Sequence, residues 1–170
     1  PPFNSTRYTV CAWIKPRTAG ESNNGRITTK SPGGNVGGMQ LIMGNSTTLN
    51  LRERNTGLTN FITTSASITI LNSWRHACGR FDNAGDRKLY IFIDGTQSGT
   101  PATVTGTLEE YSGNSLFVGG NNDATRAYDG LIDEVHVERI SRHNTDIQTQ
   151  YYNQSFTPIS ASSTPFYTIG

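Results

Sequence analysis

Apolar and polar residues alternate with period two along most of this chain, in stretches too short for anything but strands. Tyr8, Val10, Ala12 and Ile14 share one phase and Thr9, Cys11 and Trp13 the other, so residues 8–14 predict a strand covered on both faces, ended by Lys15-Pro16. Gly20–Gly25 reads as a polar turn, 26–30 as a short strand and SPGGNVGG (31–38) as a glycine-rich loop. Further strands are expected at 39–43, 49–54 and 58–63, then at 74–81 and 88–93 around a DNAGD turn, with Asp94-Gly95 forcing another reversal. Residues 115–118 and 131–138 complete the strong strand signals. The spacing Thr145-x-x-Gln148 suggests a capping box, and Ile147 and Tyr151 share one helical face, so one short helix is predicted near 145–152.

About a dozen short strands must hide their apolar faces against one another. The expected fold is therefore all-β, a two-sheet antiparallel jelly-roll sandwich with one helical turn. The 170 residues fit a single domain over 1–170, with its core at 8–152 and a closing segment at 153–170 whose FYTI could add a strand. The opening PPFNST looks like a linker remnant, which suggests a module of a larger chain. Fourteen basic and thirteen acidic residues give a net charge of +1 without a basic cluster, which argues against nucleic acid as a partner. The longest apolar run, Tyr90–Ile93, is far too short for membrane insertion.

Cys11 and Cys78 both lie in strand-like contexts, as two buried thiols or as a disulfide. Few lysines, abundant Thr, Ser and Asn, and sequons at Asn4, Asn45 and Asn153 favour an extracellular or cell-surface protein, in which a bridge would form.

The stretch AYDGLIDEVHVERI (127–140) carries the most conspicuous chemistry. Glu134, His136 and Glu138 recur at every second position and would share one face of a strand. Leu131, Val135 and Val137 fall in the opposite, apolar phase, which makes the acidic face the solvated reverse of a buried one. Asp133 then points inward with the valines, where a carboxylate needs hydrogen bonds, an ion pair or a metal. The loop GGNNDATRAYDG (119–130) adds Asn121, Asn122, Asp123 and Asp129, oxygen donors of the kind calcium prefers, although an Asn/Asp-rich turn explains them as simply. Asp82 and Asp86 in DNAGD are read as turn residues.

In order along the chain, YTVCAWIKP, SWRHACGRFDNAGDRKLYIFIDG, SLFVGG and YDGLIDEVHVERISRHNTDIQTQYY resemble the laminin-G-like and pentraxin-like branch of the concanavalin A-like sandwiches. The tail resembles the ends of such modules in bacterial surface proteins, and a virion-associated origin fits equally. The resemblance implies an intersheet Cys11–Cys78 disulfide. It also carries Asn122 and Asp123 over as candidate calcium ligands, although SPGGNVGG offers only Asn35 as a partner. One structural calcium ion is expected on some of Asp123, Asp129 and Asp133 together with backbone carbonyls.

The superfamily hosts lectins, adhesion modules, capsid decorations and glycoside hydrolases, so the fold alone does not choose a function. Glu134 and Glu138 superficially resemble the acidic strand of laminarinase-type glucanases, but His136 stands where that pattern wants Asp. Strand positions i and i+4 are also about 13 Å apart at Cα, whereas retaining hydrolysis wants carboxyl groups about 5–5.5 Å apart. With only two tryptophans, and Trp74 assigned to the hairpin core, an aromatic cleft is not expected. The expected function is a non-catalytic extracellular module recognising carbohydrate or a surface glycoprotein. Asn121, Asn122, Arg126 and Tyr128 are the candidate ligand-binding residues, with Trp13 a further contributor. A structural or decoration unit of a surface layer, filament or virion is the alternative, and a laminarinase-type hydrolase the third reading.

Overall fold

A computed structural model describes residues 6–31, 38–109, 111, 113–121 and 124–155. Among these run β1 (Arg7–Pro16), β2 (Arg26–Lys30), β3 (Met39–Met43), β4 (Leu49–Arg54), β5 (Asn60–Thr64), β6 (Arg75–Asp82), β7 (Lys88–Ile93), β8 (Thr96–Thr103), β9 (Phe117–Val118), β10 (Gly130–Glu138) and α1 (Asn144–Gln154). The strands make two antiparallel five-stranded sheets, sheet A in the order β10-β1-β6-β7-β8 and sheet B in the order β5-β4-β3-β2-β9. The expected sandwich is present. The closing strand proposed for FYTI, and the sequon at Asn4, lie outside the described residues.

The core forms where the predicted inward phases meet. Tyr8, Val10, Ala12 and Ile14 of β1 join Ala77 and Phe81 of β6 and Leu89 and Ile91 of β7 on the inner face of sheet A. Met39, Leu41, Met43, Leu49 and Leu51 face them from sheet B. Gly79 sits beneath this contact, where an added Cβ would lie 2.6 Å from Leu51 Cδ1, so the missing side chain is what lets Leu51 rest on the β6 backbone.

One strand escaped the sequence pattern. β8 reads TQSGTPAT, and its Gly99 and Pro101 disguise it, yet both residues are tolerated on a sheet edge, which is where β8 lies. Gly99 has φ +80°, and a Cβ there would come within 1.9 Å of the Thr64 carbonyl oxygen. The edges of the two sheets therefore meet closely, and Thr63 ties them: its hydroxyl accepts the Ala102 N–H at 2.8 Å and donates to the Leu89 carbonyl at 2.9 Å.

The helix begins one residue earlier than predicted and with a different cap. Asp146 Oδ2 accepts the His143 N–H at 3.1 Å, so the box is His143-x-x-Asp146 and not Thr145-x-x-Gln148. α1 lies on the outer face of sheet A, where buried Ile147 packs with Cys11, Cys78 and Phe92 in a second small apolar cluster. Cys11 and Cys78 are bonded, but they are direct neighbours on β1 and β6 with Cα atoms 4.1 Å apart. The disulfide thus staples adjacent strands of one sheet and does not cross between sheets. That geometry follows from Cys11 occupying the outward phase of β1, opposite the core residues.

Candidate functional site

The strand carrying Asp133 and the two glutamates is not regular. Trp13 pairs with Asp133 and Cys11 with His136, so Ala12 alone stands across from both Glu134 and Val135. This is a β-bulge, with Glu134 in the left-handed region at φ +47°. One extra residue reverses the phase: Ile132, Val135 and Val137 pack against the core, and Leu131 is 58% exposed. Asp133 is exposed on the outer face, which corrects its expected inward orientation. The inward phase inferred from strict alternation fails because alternation breaks at Glu134.

The bulge sets Asp133 and Glu134, consecutive in sequence, along the same cavity. Its other walls are Trp13, Trp74, Gln154 and Ser155, and its volume is about 530 Å3. Trp13 is fixed there: its Nε1–H donates to Gln154 Oε1 at 2.9 Å, and its ring lies 5.4 Å from that of His76 and 5.9 Å from that of Tyr151. Trp74 precedes β6 and is 43% exposed, so it is not the core residue expected of it.

A second groove of about 440 Å3 continues between β10 and α1, past His136, Glu138, Arg142, Asp146 and Asn153, and shares Gln154 with the first. Glu138 is held there by Arg142, whose Nε and Nη2 donate to it at 2.5 and 2.8 Å. This pairing keeps the Glu138 carboxyl below its ordinary pKa. His136 Nε2 lies 3.4 Å from Glu134 Oε2.

Beneath the helix, burial lowers the His76 imidazole to a pKa of about 4, so it is neutral at physiological pH. His76 and the sulfurs of Cys11 and Cys78 are close enough to suggest a metal cluster, but the sulfurs are consumed by the disulfide.

Of the residues proposed from the 119–130 loop, Asn121, Arg126 and Tyr128 make contacts that hold the loop in place. Asn121 is buried, and its backbone closes a turn with Ala124 and Thr125. The Arg126 carbonyl accepts the Arg26 N–H, and Tyr128 donates its N–H to Gly119 while its ring packs on the core. Burial, with Asp129 second, raises the Tyr128 phenol well above its ordinary pKa. Asn122 and Asp123 lie outside the described residues.

Both oxygens of Asp129 are engaged, Oδ1 by Arg17 Nε and Oδ2 by the Thr18 hydroxyl, each at 2.9 Å. Asp133 Oδ1 accepts the Glu134 N–H at 2.8 Å. Among the described residues these two aspartates do not join a third acidic, His or Cys ligand closely enough to cage an ion. Asp123, the third member of the expected calcium set, lies outside the described residues. Asp82 behaves as the turn residue expected, accepting the N–H groups of Ala84 and Gly85 at 3.0 Å.

Sequence reasoning named Trp13 but missed Gln154 and Ser155. These reach the cavity only because α1 docks across sheet A, which no local pattern announces. The exposed setting of Trp74 had a faint signal in the polar Asn72-Ser73 before it.

Laminin_G_3, a family model of the concanavalin A-like lectin/glucanases superfamily, matches residues 1–148. Among curated proteins, none matches the chain in sequence. Solved structures of similar fold include the native heptameric SAP-like pentraxin from Limulus polyphemus, with 17% identity and a TM-score of 0.64, over 88% of this chain and 71% of that one. The ligand binding domain of botulinum neurotoxin serotype D, solved with N-acetylneuraminic acid, has 14% identity and a TM-score of 0.67, over 88% and 37%. The binding domain of Paraclostridial Mosquitocidal Protein 1 has 10% identity and a TM-score of 0.67, over 89% and 38%. At such identities the likeness is one of fold, and the chain spans well under half of either toxin domain.

Proposed function

The chain belongs to the concanavalin A-like lectin/glucanase superfamily, and from that premise we propose that it is a non-catalytic module that binds carbohydrate outside the cell. The observation that carries this is the cavity between Trp13 and Trp74 with Asp133, Glu134 and Gln154 around it. Indole faces stack on the apolar C–H face of a pyranose, and carboxylate and amide oxygens accept from its hydroxyls. The neurotoxin domain of similar fold solved with N-acetylneuraminic acid supports a sugar as the class of ligand. The disulfide supports an oxidising compartment, and among the described residues no helix is long and apolar enough to cross a membrane.

A non-catalytic role is favoured by the state of the acidic pair. Glycoside hydrolysis needs one carboxyl that holds a proton to donate, and the Arg142 guanidinium makes Glu138 unsuited to that part. Burial pushes the Glu53 carboxyl up to about 8, but Glu53 is fully buried in the interior, out of reach of any substrate.

A glycan array followed by titration calorimetry of the best binder tests the reading. Trp74→Ala should weaken that glycan at least tenfold while leaving the melting temperature nearly unchanged, because the ring is largely outside the core. An empty array, or a binder indifferent to Trp74→Ala, would refute it.

A further inference from the structure

We infer that the groove along α1 selects sugars bearing a free amine, that is, an oligosaccharide of de-N-acetylated hexosamine. The inference rests on the carbohydrate reading above and concerns the same site.

The strand need not have placed two carboxylates side by side. A regular strand would send Asp133 and Glu134 to opposite faces. The bulge turns both toward one cavity, and holds Glu134 at a φ of +47°, in the left-handed region that disfavours a non-glycine residue. Neutral hydroxyls are satisfied by one carboxylate or by an amide such as Gln154. A pair of carboxylates beside two indoles instead suits an ammonium group, which is attracted both by the charges and by the electron-rich ring faces.

Charge continues along the track. Asp133 and Glu134 line the first cavity, and Glu138 and Asp146 line the second, against the single guanidinium of Arg142 and the imidazole of His136. The grooves meet at Gln154, so together they form an elongated path longer than one sugar ring and predominantly acidic. An oligomer with an amine on each residue matches that length and sign. A sialic or uronic acid would meet like charge at Asp133 and Glu134 and bind poorly.

The test is calorimetry in mildly acidic buffer, where the sugar amine carries its proton, with a β-1,4-linked glucosamine oligomer, its N-acetylated counterpart and tetramethylammonium as probes. The glucosamine oligomer is expected to bind at least tenfold more tightly than the N-acetylated one and to weaken as salt is raised. The double variant Asp133→Asn, Glu134→Gln keeps shape and hydrogen-bonding capacity and should abolish that preference, whereas Trp74→Ala should weaken both oligomers. Equal or tighter binding of the N-acetylated oligomer, or a preference that survives the double variant, overturns the inference and leaves carbohydrate binding standing. Competition by tetramethylammonium as strong as by the oligomer overturns the sugar part. If neither oligomer binds and the array is also blank, the inference and the carbohydrate reading fall together.

Discussion

Asp133 stands directly across the β10–β1 ladder from Trp13, so a carboxylate and an indole share one outward face of sheet A. Glu134 joins them only because it is the extra residue of a bulge, and the cavity owes its character to that single insertion.

The bulge can be relaxed or removed. Glycine tolerates φ +47° without strain, so Glu134→Gly should hold or raise the melting temperature while weakening the glycan. Deleting Glu134 removes only the extra residue: Asp133 stays across from Trp13, Ala12 then faces Val135, and Ile132, Val135 and Val137 stay inward in strict alternation, so the melting temperature should stay near the parent's while the glycan weakens. A deletion that costs several kcal/mol in denaturant titration, as it would if Asp133 were driven against the core, would contradict the assigned register.

Leu51 of sheet B rests on the Gly79 backbone of sheet A, where a Cβ would lie 2.6 Å from Leu51 Cδ1. Leu51→Ala should destabilise by about 2–5 kcal/mol through the cavity it leaves. Gly79→Val should do at least comparable damage, because Leu51 cannot withdraw from a core of this density. Urea midpoints measure both.

The Cys11–Cys78 bridge closes a sequence separation of 67 residues. In the chain-entropy account, its loss should cost roughly 4 kcal/mol. The paired Cys11→Ala, Cys78→Ala variant should therefore melt well below the oxidised protein and match the parent after reduction. Equal stability of variant and oxidised parent would count against the bridge as a support of the fold.

Glu53 supplies a pH dependence. Desolvation between the sheets pushes its carboxyl up to about 8 from an ordinary 4.5, while the Tyr8 and Tyr111 hydroxyls, donating at 3.1 and 3.2 Å, draw it partly back. A value raised in the folded state favours the protonated fold. This contribution is complete below about pH 4.5 and is lost as the pH climbs through about 8. Glu53→Gln cannot ionise, so it should melt above the parent at about pH 9 and close to it at about pH 5. The reverse order would show that Glu53 is buried as the anion.

The fold was legible because it is written in short-range alternation: the inward residues of β1, β3 and β7 can be counted off at every second position. β8 was hidden because an edge strand tolerates Pro101 and Gly99, which elsewhere mark a turn. The site was only half legible. A bulge leaves no trace in residue types, so Asp133 was assigned to the wrong face by a rule that holds for regular strands. Gln154 depends on how α1 docks. The acidic run at 133–138 did mark the right strand, and its function as a wet face was read correctly for Glu134, His136 and Glu138.

The most direct measurement uses the fact that the chain has only two tryptophans. In a 15N-correlated NMR spectrum their indole N–H groups give two isolated signals, to be followed as a glycan hit or glucosamine oligomer is titrated in. The account predicts that both signals move in step with binding, together with the Asp133, Glu134 and Gln154 amides. Shifts confined to the 119–130 loop, with both indole signals still, would contradict it.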